Sequence, residues 1–168
     1  MLYLKEANFE DIDKEYEAIS KMPKEENGFF NDFYGVSREE FKNNALPKMI
    51  NRSKGIDLQE DDVAKTYYFL WDDNIIVGLF KIRHYLNYRI RNYGGHIAYG
   101  ILKEYRKKGY ATKGLELAIE EARKIIKEDE IYLHCRLTNT ASLKVQLKNG
   151  AKLHHKNEKG YFTRIKIR

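Results

Sequence analysis

The sequence predicts one α/β domain, α+β in its outer elements, built around a mixed central sheet. Its 168 residues fit a single unit spanning 1–168, since domains commonly hold about 100–200 residues. Two strand runs at 65–71 and 75–82 flank Asp72-Asp73-Asn74, which is hairpin chemistry. A strand from Gly95 to Leu102, an amphipathic helix over 110–127 and a strand at Ile131–Cys135 form a strand–helix–strand unit long enough for a parallel crossover.

The remaining elements follow in order. Residues 2–6 form a first strand. A helix over 8–20 carries Phe9, Ile12, Tyr16 and Ile19 on one face, with Asn8 at its N-cap. Residues 21–36, rich in Asn and Gly, read as loop. Ser37 followed by Glu40 makes a capping box that opens a helix through about residue 51, which Pro47 should bend or end. Lys65–Trp71 is rich in strand formers, and Ile75–Ile82 answers it. The helix over 110–127 aligns Ala111, Leu115, Ala118, Ile119, Ala122, Ile125 and Ile126. In 139–149, Ala141, Leu143, Val145 and Leu147 alternate as in a strand. Asn139 can cap a helix there and Asn149-Gly150 can end it, so the segment is read as a helix, with a strand as the alternative. Strands at 151–156 and 161–167 close the chain.

Composition narrows the function classes. Apolar residues make up 42% and charged residues 33%, a globular mix rather than a disordered one. No apolar run approaches the ~20 residues of a membrane span, and the N-terminus lacks a secretory layout. The lone Cys135 makes neither an intrachain disulfide nor a cysteine zinc site, so no metal site is predicted and a reducing cytoplasm is the expected location. Charge is segregated. Residues 1–62 hold nine basic and fifteen acidic groups, whereas 81–113 hold nine basic groups against Glu104 alone, and 140–168 hold eight against Glu158. The basic regions suit an anionic partner or a solvated face.

The most informative stretch is Tyr99–Thr112. A strand ends in Gly100-Ile101-Leu102, and a basic loop, Arg106-Lys107-Lys108, turns through Gly109 into a helix beginning Tyr110-Ala111-Thr112. Unpaired N–H groups and the helix dipole make such a start a phosphate cradle. The loop lacks a P-loop's Gly-Lys-Ser/Thr ending and the three glycines of a dinucleotide fingerprint. Arg106-Lys107-Lys108-Gly109-Tyr110-Ala111 resembles the Gln/Arg-x-x-Gly-x-Gly/Ala motif of the GNAT superfamily of N-acetyltransferases. Asn139-x-x-Ser142 with Asn149-Gly150-Ala151 resembles that superfamily's second block. Ile82–Asn87 together with Gly94–Tyr99 is similar to a bacterial subgroup of predicted acetyltransferases. The resemblance covers residues 54–156 well and the first fifty loosely.

The resemblance implies about seven strands, with a V-shaped split between the fourth and fifth, and about four flanking helices. It implies an enzyme that moves acetyl from acetyl-CoA to a primary amine by direct attack. The cofactor-binding set would be Gly100, Ile101 and Leu102 for pantetheine, Arg106 to Thr112 for the pyrophosphate, and Asn139 with Ser142. Such chemistry needs a base for the amine, which is mostly protonated near pH 7. It also needs an oxyanion donor, for which the N–H of Ile101 or Leu102 is a candidate, and an acid for the thiolate. His96 and His134 are the candidate bases, although a hydrogen-bonded structural histidine is the plainer reading of each. Many members carry an acidic tyrosine four residues after the serine, but this chain has Gln146 there. Ser142, Tyr99 or solvent would have to serve instead. His84, Arg83 and Asn87 could line an acceptor pocket or shape the following loop. The acidic N-terminal third, with Glu10, Asp11, Glu25, Glu26 and Asp32, would suit a cationic amine, but scattered surface acids are the preferred reading.

The acceptor is expected to be a small-molecule or peptide amine, with no membrane partner. A homodimer would be in keeping with the superfamily. Two rival classes stay open: a domain that binds CoA without catalysis, and a nucleic-acid-binding module that uses the basic 81–113 stretch and stacks bases on Tyr85, Tyr88, Tyr93, Tyr99, Tyr105 and Tyr110. No recognised RNA motif supports the latter.

Overall fold

The computed structural model describes residues 1–168. In chain order the elements are β1 (Leu2–Glu6), α1 (Ile12–Lys21), β2 (Glu25–Glu26), β3 (Phe29–Phe30), α2 (Arg38–Glu40), a π-helical turn (Phe41–Ala45), α3 (Leu46–Ser53), β4 (Lys65–Asp72), β5 (Ile75–Arg83), α4 (Tyr88–Tyr93), β6 (Ile97–Ile101), a 3-10 turn (Lys103–Tyr105), α5 (Tyr110–Ile125), β7 (Glu130–Cys135), α6 (Thr140–Lys148), β8 (Lys152–Asn157) and β9 (Gly160–Lys166).

The strands form two antiparallel half-sheets, β1-β4-β5-β6 and β7-β9-β8, with a small separate β2-β3 ribbon. β4 and β5 are buried on both faces, which explains their unbroken apolar runs. Successive side chains of a strand point to opposite faces, so the hairpin feeds two cores. Tyr68, Leu70, Phe80 and Ile82 pack beneath α5 with Leu115, Ala118 and Ala122. Tyr67, Phe69, Trp71 and Leu79 pack against α1 and α3 through Ile19, Leu46 and Met49.

The half-sheets meet at one point. The backbone N–H of His96 donates to Tyr132 O at 2.7 Å, the N–H of Tyr132 donates to His96 Nδ1 at 2.9 Å, and no β6–β7 ladder continues beyond them. Gly95 makes this contact possible: a Cβ there would lie 2.2 Å from Tyr132 O. The expected split therefore lies where it was read, between the fourth and fifth long strands. The parallel pairing expected across α5 is reduced to this single junction.

Local departures have local causes. Asn8 does not begin α1. Its Oδ1 accepts from the N–H of Asp11 at 3.0 Å, capping the turn that precedes Ile12. Pro47 does not end the second helix. The π turn over Phe41–Ala45 widens the helix just ahead of the ring, which accommodates proline's missing donor and its clash with the preceding turn. The segment 139–149 is helical, with Asn139 Oδ1 accepting from Ser142 N–H. The ribbon of β2 and β3 and helix α4 lie in stretches read as loop.

Candidate active site

The gap between the half-sheets opens into two clefts. The larger, of about 450 Å3, runs from the end of β6 along the start of α5 to α6. The smaller, of about 280 Å3, lies toward the junction at Gly95. They share Asn27, Phe29, Tyr99, Asn139 and Ser142.

The larger cleft contains the predicted seat. Gly109 is the residue before α5, in the left-handed conformation at φ 85°, without a side-chain cap and with open space where a Cβ would stand. The first N–H groups of the helix, from Tyr110, Ala111 and Thr112, have no intrahelical acceptor, and these residues line the cleft with Lys107. The Tyr110 hydroxyl is turned away, donating to Asp72 Oδ2 at 2.6 Å, so that residue offers only its backbone. Arg106 lines the cleft, but its guanidinium is already engaged by Ile101 O at 3.0 Å and by the Glu26 carboxylate. Lys108 does not line it; its ammonium stands 5.7 Å over the Tyr105 ring. Lys148, which sequence reasoning missed, does line it. A polyanionic group with an extended tail fits this combination of free amides, lysines and an open glycine.

The register of β6 corrects the expected backbone donors. Its ladder with β5 is bracketed by Arg83 N–H to His96 O (2.7 Å) and Leu102 N–H to Val77 O (2.9 Å). Alternate residues of an antiparallel strand bond to the same neighbour. Ala98 and Gly100 are therefore in phase with β5, while Ile97, Tyr99 and Ile101 turn their backbone groups into the gap. Leu102 is excluded as a donor, since its N–H is taken and its side chain is buried. Gly100 serves instead as a floor for Phe29, whose ring would lie 3.0 Å from a Cβ.

At the meeting of the clefts the Tyr99 hydroxyl lies 2.8 Å from Ser142 Oγ, and Gln146 Nε2 is 3.4 Å from the same oxygen. Burial raises the Tyr99 phenol to about 12, so it keeps its proton at neutral pH. Gln146 is buried and accepts from the Thr163 hydroxyl at 2.8 Å, a structural role.

The two histidines separate clearly. His96 is fully buried, its Nε2 lies 2.7 Å from Glu128 Oε2, and its Nδ1 accepts from Tyr132. Both nitrogens are committed and it lines neither cleft, so this geometry opposes the base role expected of it; it pins the junction. His134 lines the smaller cleft, and its Nε2 donates to Lys159 O at 2.9 Å, which leaves the Nδ1 lone pair free. Burial lowers its pKa, favouring the neutral imidazole. Cys135 is buried and burial pushes its thiol up to about 11, unsuited to nucleophilic attack.

Arg83 lines the smaller cleft, but its predicted companions do not: His84 bonds Thr66 Oγ1 at 2.8 Å and Asn87 caps α4. Phe29 and Asn27 were also missed; they come from a segment held down from beneath. The Lys81 ammonium meets Asp32 Oδ2 at 3.0 Å and the Phe30 carbonyl, and the Tyr67 hydroxyl donates to the same carboxylate at 2.9 Å.

The family model described as Acetyltransferase (GNAT) family matches residues 30–151, and the chain belongs to that family. No curated protein matches the chain in sequence. Among solved structures it is similar to a GNAT-family acetyltransferase from Streptococcus pneumoniae (18% identity, TM-score 0.63, covering 99% of this chain and 100% of that one). It is also similar to Campylobacter jejuni N-acetyltransferase PseH in complex with acetyl coenzyme A (14%, 0.60, 99% and 99%). A third is the ribosomal L7/L12 alpha-N-protein acetyltransferase RimL in complex with coenzyme A (14%, 0.66, 97% and 90%). No helix is long and apolar enough to cross a membrane.

Proposed function

We propose that the protein is an acetyl-CoA-dependent N-acetyltransferase acting on a primary amine by direct attack, with acetyl-CoA as cosubstrate in the larger cleft and the amine in the smaller one. The observation that carries this reading is that the two clefts meet at Tyr99 and Ser142. Bound acetyl-CoA would supply the activated acetyl thioester. The amides of Tyr110, Ala111 and Thr112, with Lys107, would hold its diphosphate, and the outward backbone groups of Tyr99 would hold its pantetheine arm.

His134 is assigned as the base: its free Nδ1 takes the proton that the amine loses as the new N–C bond forms. Tyr99 is assigned as the acid, giving its proton to the sulfur as the C–S bond breaks. Ser142 is a positioning residue that orients the Tyr99 hydroxyl. The Ile101 N–H is the oxyanion donor, since Leu102 is occupied. No covalent enzyme intermediate is needed, in keeping with the inert Cys135.

Thermal shift with CoA and acetyl-CoA, followed by thiol release with a panel of amines, tests the reading. A ligand at 100 times its Kd stabilises by about 2.7 kcal/mol, and Gly109→Trp should abolish that gain. Absence of stabilisation by either CoA species, or stabilisation by oligonucleotides alone, would overturn it. CoA-dependent stabilisation with no thiol release for any amine would leave the domain a CoA binder.

A further inference from the structure

The smaller cleft has a distinctive charge. Of the residues lining it, Arg83, Arg89 and Arg136 are basic, and none is Asp or Glu. Arg136 is balanced by Glu25 at 3.0 Å. Arg83 is half-buried, makes no salt bridge, and uses only one Nη1–H, donated to the Gly95 carbonyl at 2.7 Å. Arg89 makes one weaker bond, Nη2–H to the Asp61 carbonyl at 3.2 Å. A guanidinium carries five donors in a planar fork matched to carboxylate and phosphate, and leaving such donors unmet beside apolar walls is costly.

The carboxylates that could have made the cleft attractive to a polycation are all occupied: Glu25 by Arg136, Glu26 by Arg106, and Asp32 by Lys81. These three carboxylates therefore do not give this cleft a cationic-acceptor site. The cleft is metabolite-sized, and the floor from Gly95 to Tyr99 spans four residue steps of extended chain entering β6, about 13 Å.

Building on the acetyltransferase reading, we infer that the acceptor is a small amine that also carries a carboxylate or phosphate, bound by Arg83 with Arg89 beside it, at the end of the cleft away from Tyr99. The anion fixes the amine's orientation, so that His134 and Tyr99 meet its nitrogen.

The test compares matched acceptors on the intact protein, after CoA-dependent stabilisation has been established. Amino acids are set against their amides, amino-sugar phosphates against the free amino sugars, and a polyamine and an acidic-N-terminus peptide are included. The carboxylate and phosphate arms distinguish the two anion sources. At least one anionic small amine should exceed its neutral partner by about ten- to hundredfold in kcat/KM, the range of one charge-assisted hydrogen-bond set. Arg83→Gln should raise KM for that acceptor by a similar factor. Its effect on the neutral partner should be about tenfold smaller, and CoA stabilisation should stay intact. Preference for the polyamine, the peptide or the neutral partners, equal losses on both arms in Arg83→Gln, or no turnover of any anionic amine while other amines react, would overturn the inference alone. Loss of CoA binding by the unaltered protein would overturn the underlying reading instead. The acceptor comparison on the unaltered protein decides the matter even if Arg83→Gln does not fold.

Discussion

Tyr99→Phe separates chemistry from architecture at one atom. The ring stacks on Phe80 at a centroid distance of 5.3 Å, and phenylalanine keeps that contact. What is lost is the hydroxyl's hydrogen bond with Ser142 Oγ at 2.8 Å, leaving that oxygen the 3.4 Å contact from Gln146. One such bond contributes about 1 kcal/mol net to stability, a small shift in a urea midpoint. A general acid contributes about 10²–10⁴ in rate, or roughly 3–5 kcal/mol of barrier. The variant should therefore lose at least a hundredfold in kcat by thiol release, with KM for acetyl-CoA changed less than about threefold. The phenol at about 12 must be protonated to donate, so the unaltered enzyme should show no alkaline fall from this group up to pH 10. A kcat within threefold of the unaltered enzyme, or a loss confined to KM, would refute the role of Tyr99.

Three other perturbations follow from the geometry. His134→Ala should lower kcat/KM about a hundredfold at pH 7 and remove an acid limb whose midpoint lies below 6.5, because burial lowers the imidazole; an unchanged limb in the pH–rate profile would reject the base. Gly95→Ala places a Cβ 2.2 Å from Tyr132 O. Forcing the half-sheets apart at a buried hydrogen-bonded junction should cost about 2–4 kcal/mol in urea unfolding, and a cost below about 0.5 kcal/mol would contradict the close approach. Glu15 is buried, and burial raises its carboxyl from 4.5 to about 8. Below pH 4.5 folded and unfolded chains both hold that proton. Between 4.5 and 8 the unfolded chain releases it first, so stability should fall with rising pH, by up to ~1.4 kcal/mol per unit. Glu15→Gln should flatten this slope in pH-resolved thermal melts, and an unchanged slope would assign it elsewhere.

What was legible in the sequence was local. The hairpin around Asp72-Asp73-Asn74, the face of α5 and the amide-lined start at Gly109 each depend on neighbours within a few residues. The two-residue strands β2 and β3 have no periodicity to detect; they exist because Phe29 packs on Gly100 and Lys81 holds Asp32. Arg83, Arg89 and Arg136 come from β5, α4 and the end of β7, so no linear pattern announces their convergence. A histidine opening a strand reads the same as base or as pin, and only Glu128, far along the chain, decides for His96. Leu102 failed as a donor because its register against Val77, rather than its residue type, fixes where its N–H points.

Glu25 and Glu26 are adjacent, yet they take arginines from different walls, Arg136 beside the acceptor side and Arg106 beside the cosubstrate side. Both pairs are exposed, and such pairs hold by only about 0–1 kcal/mol each. Phe29, three residues on, lies over the strand between the walls. The same short ribbon thus roofs both chambers, anchored beneath by Lys81 on Asp32 and fastened at its rim by these weak pairs, so added salt should loosen the rim at both entrances at once, long before it disturbs the anchor or the packed sheets beneath.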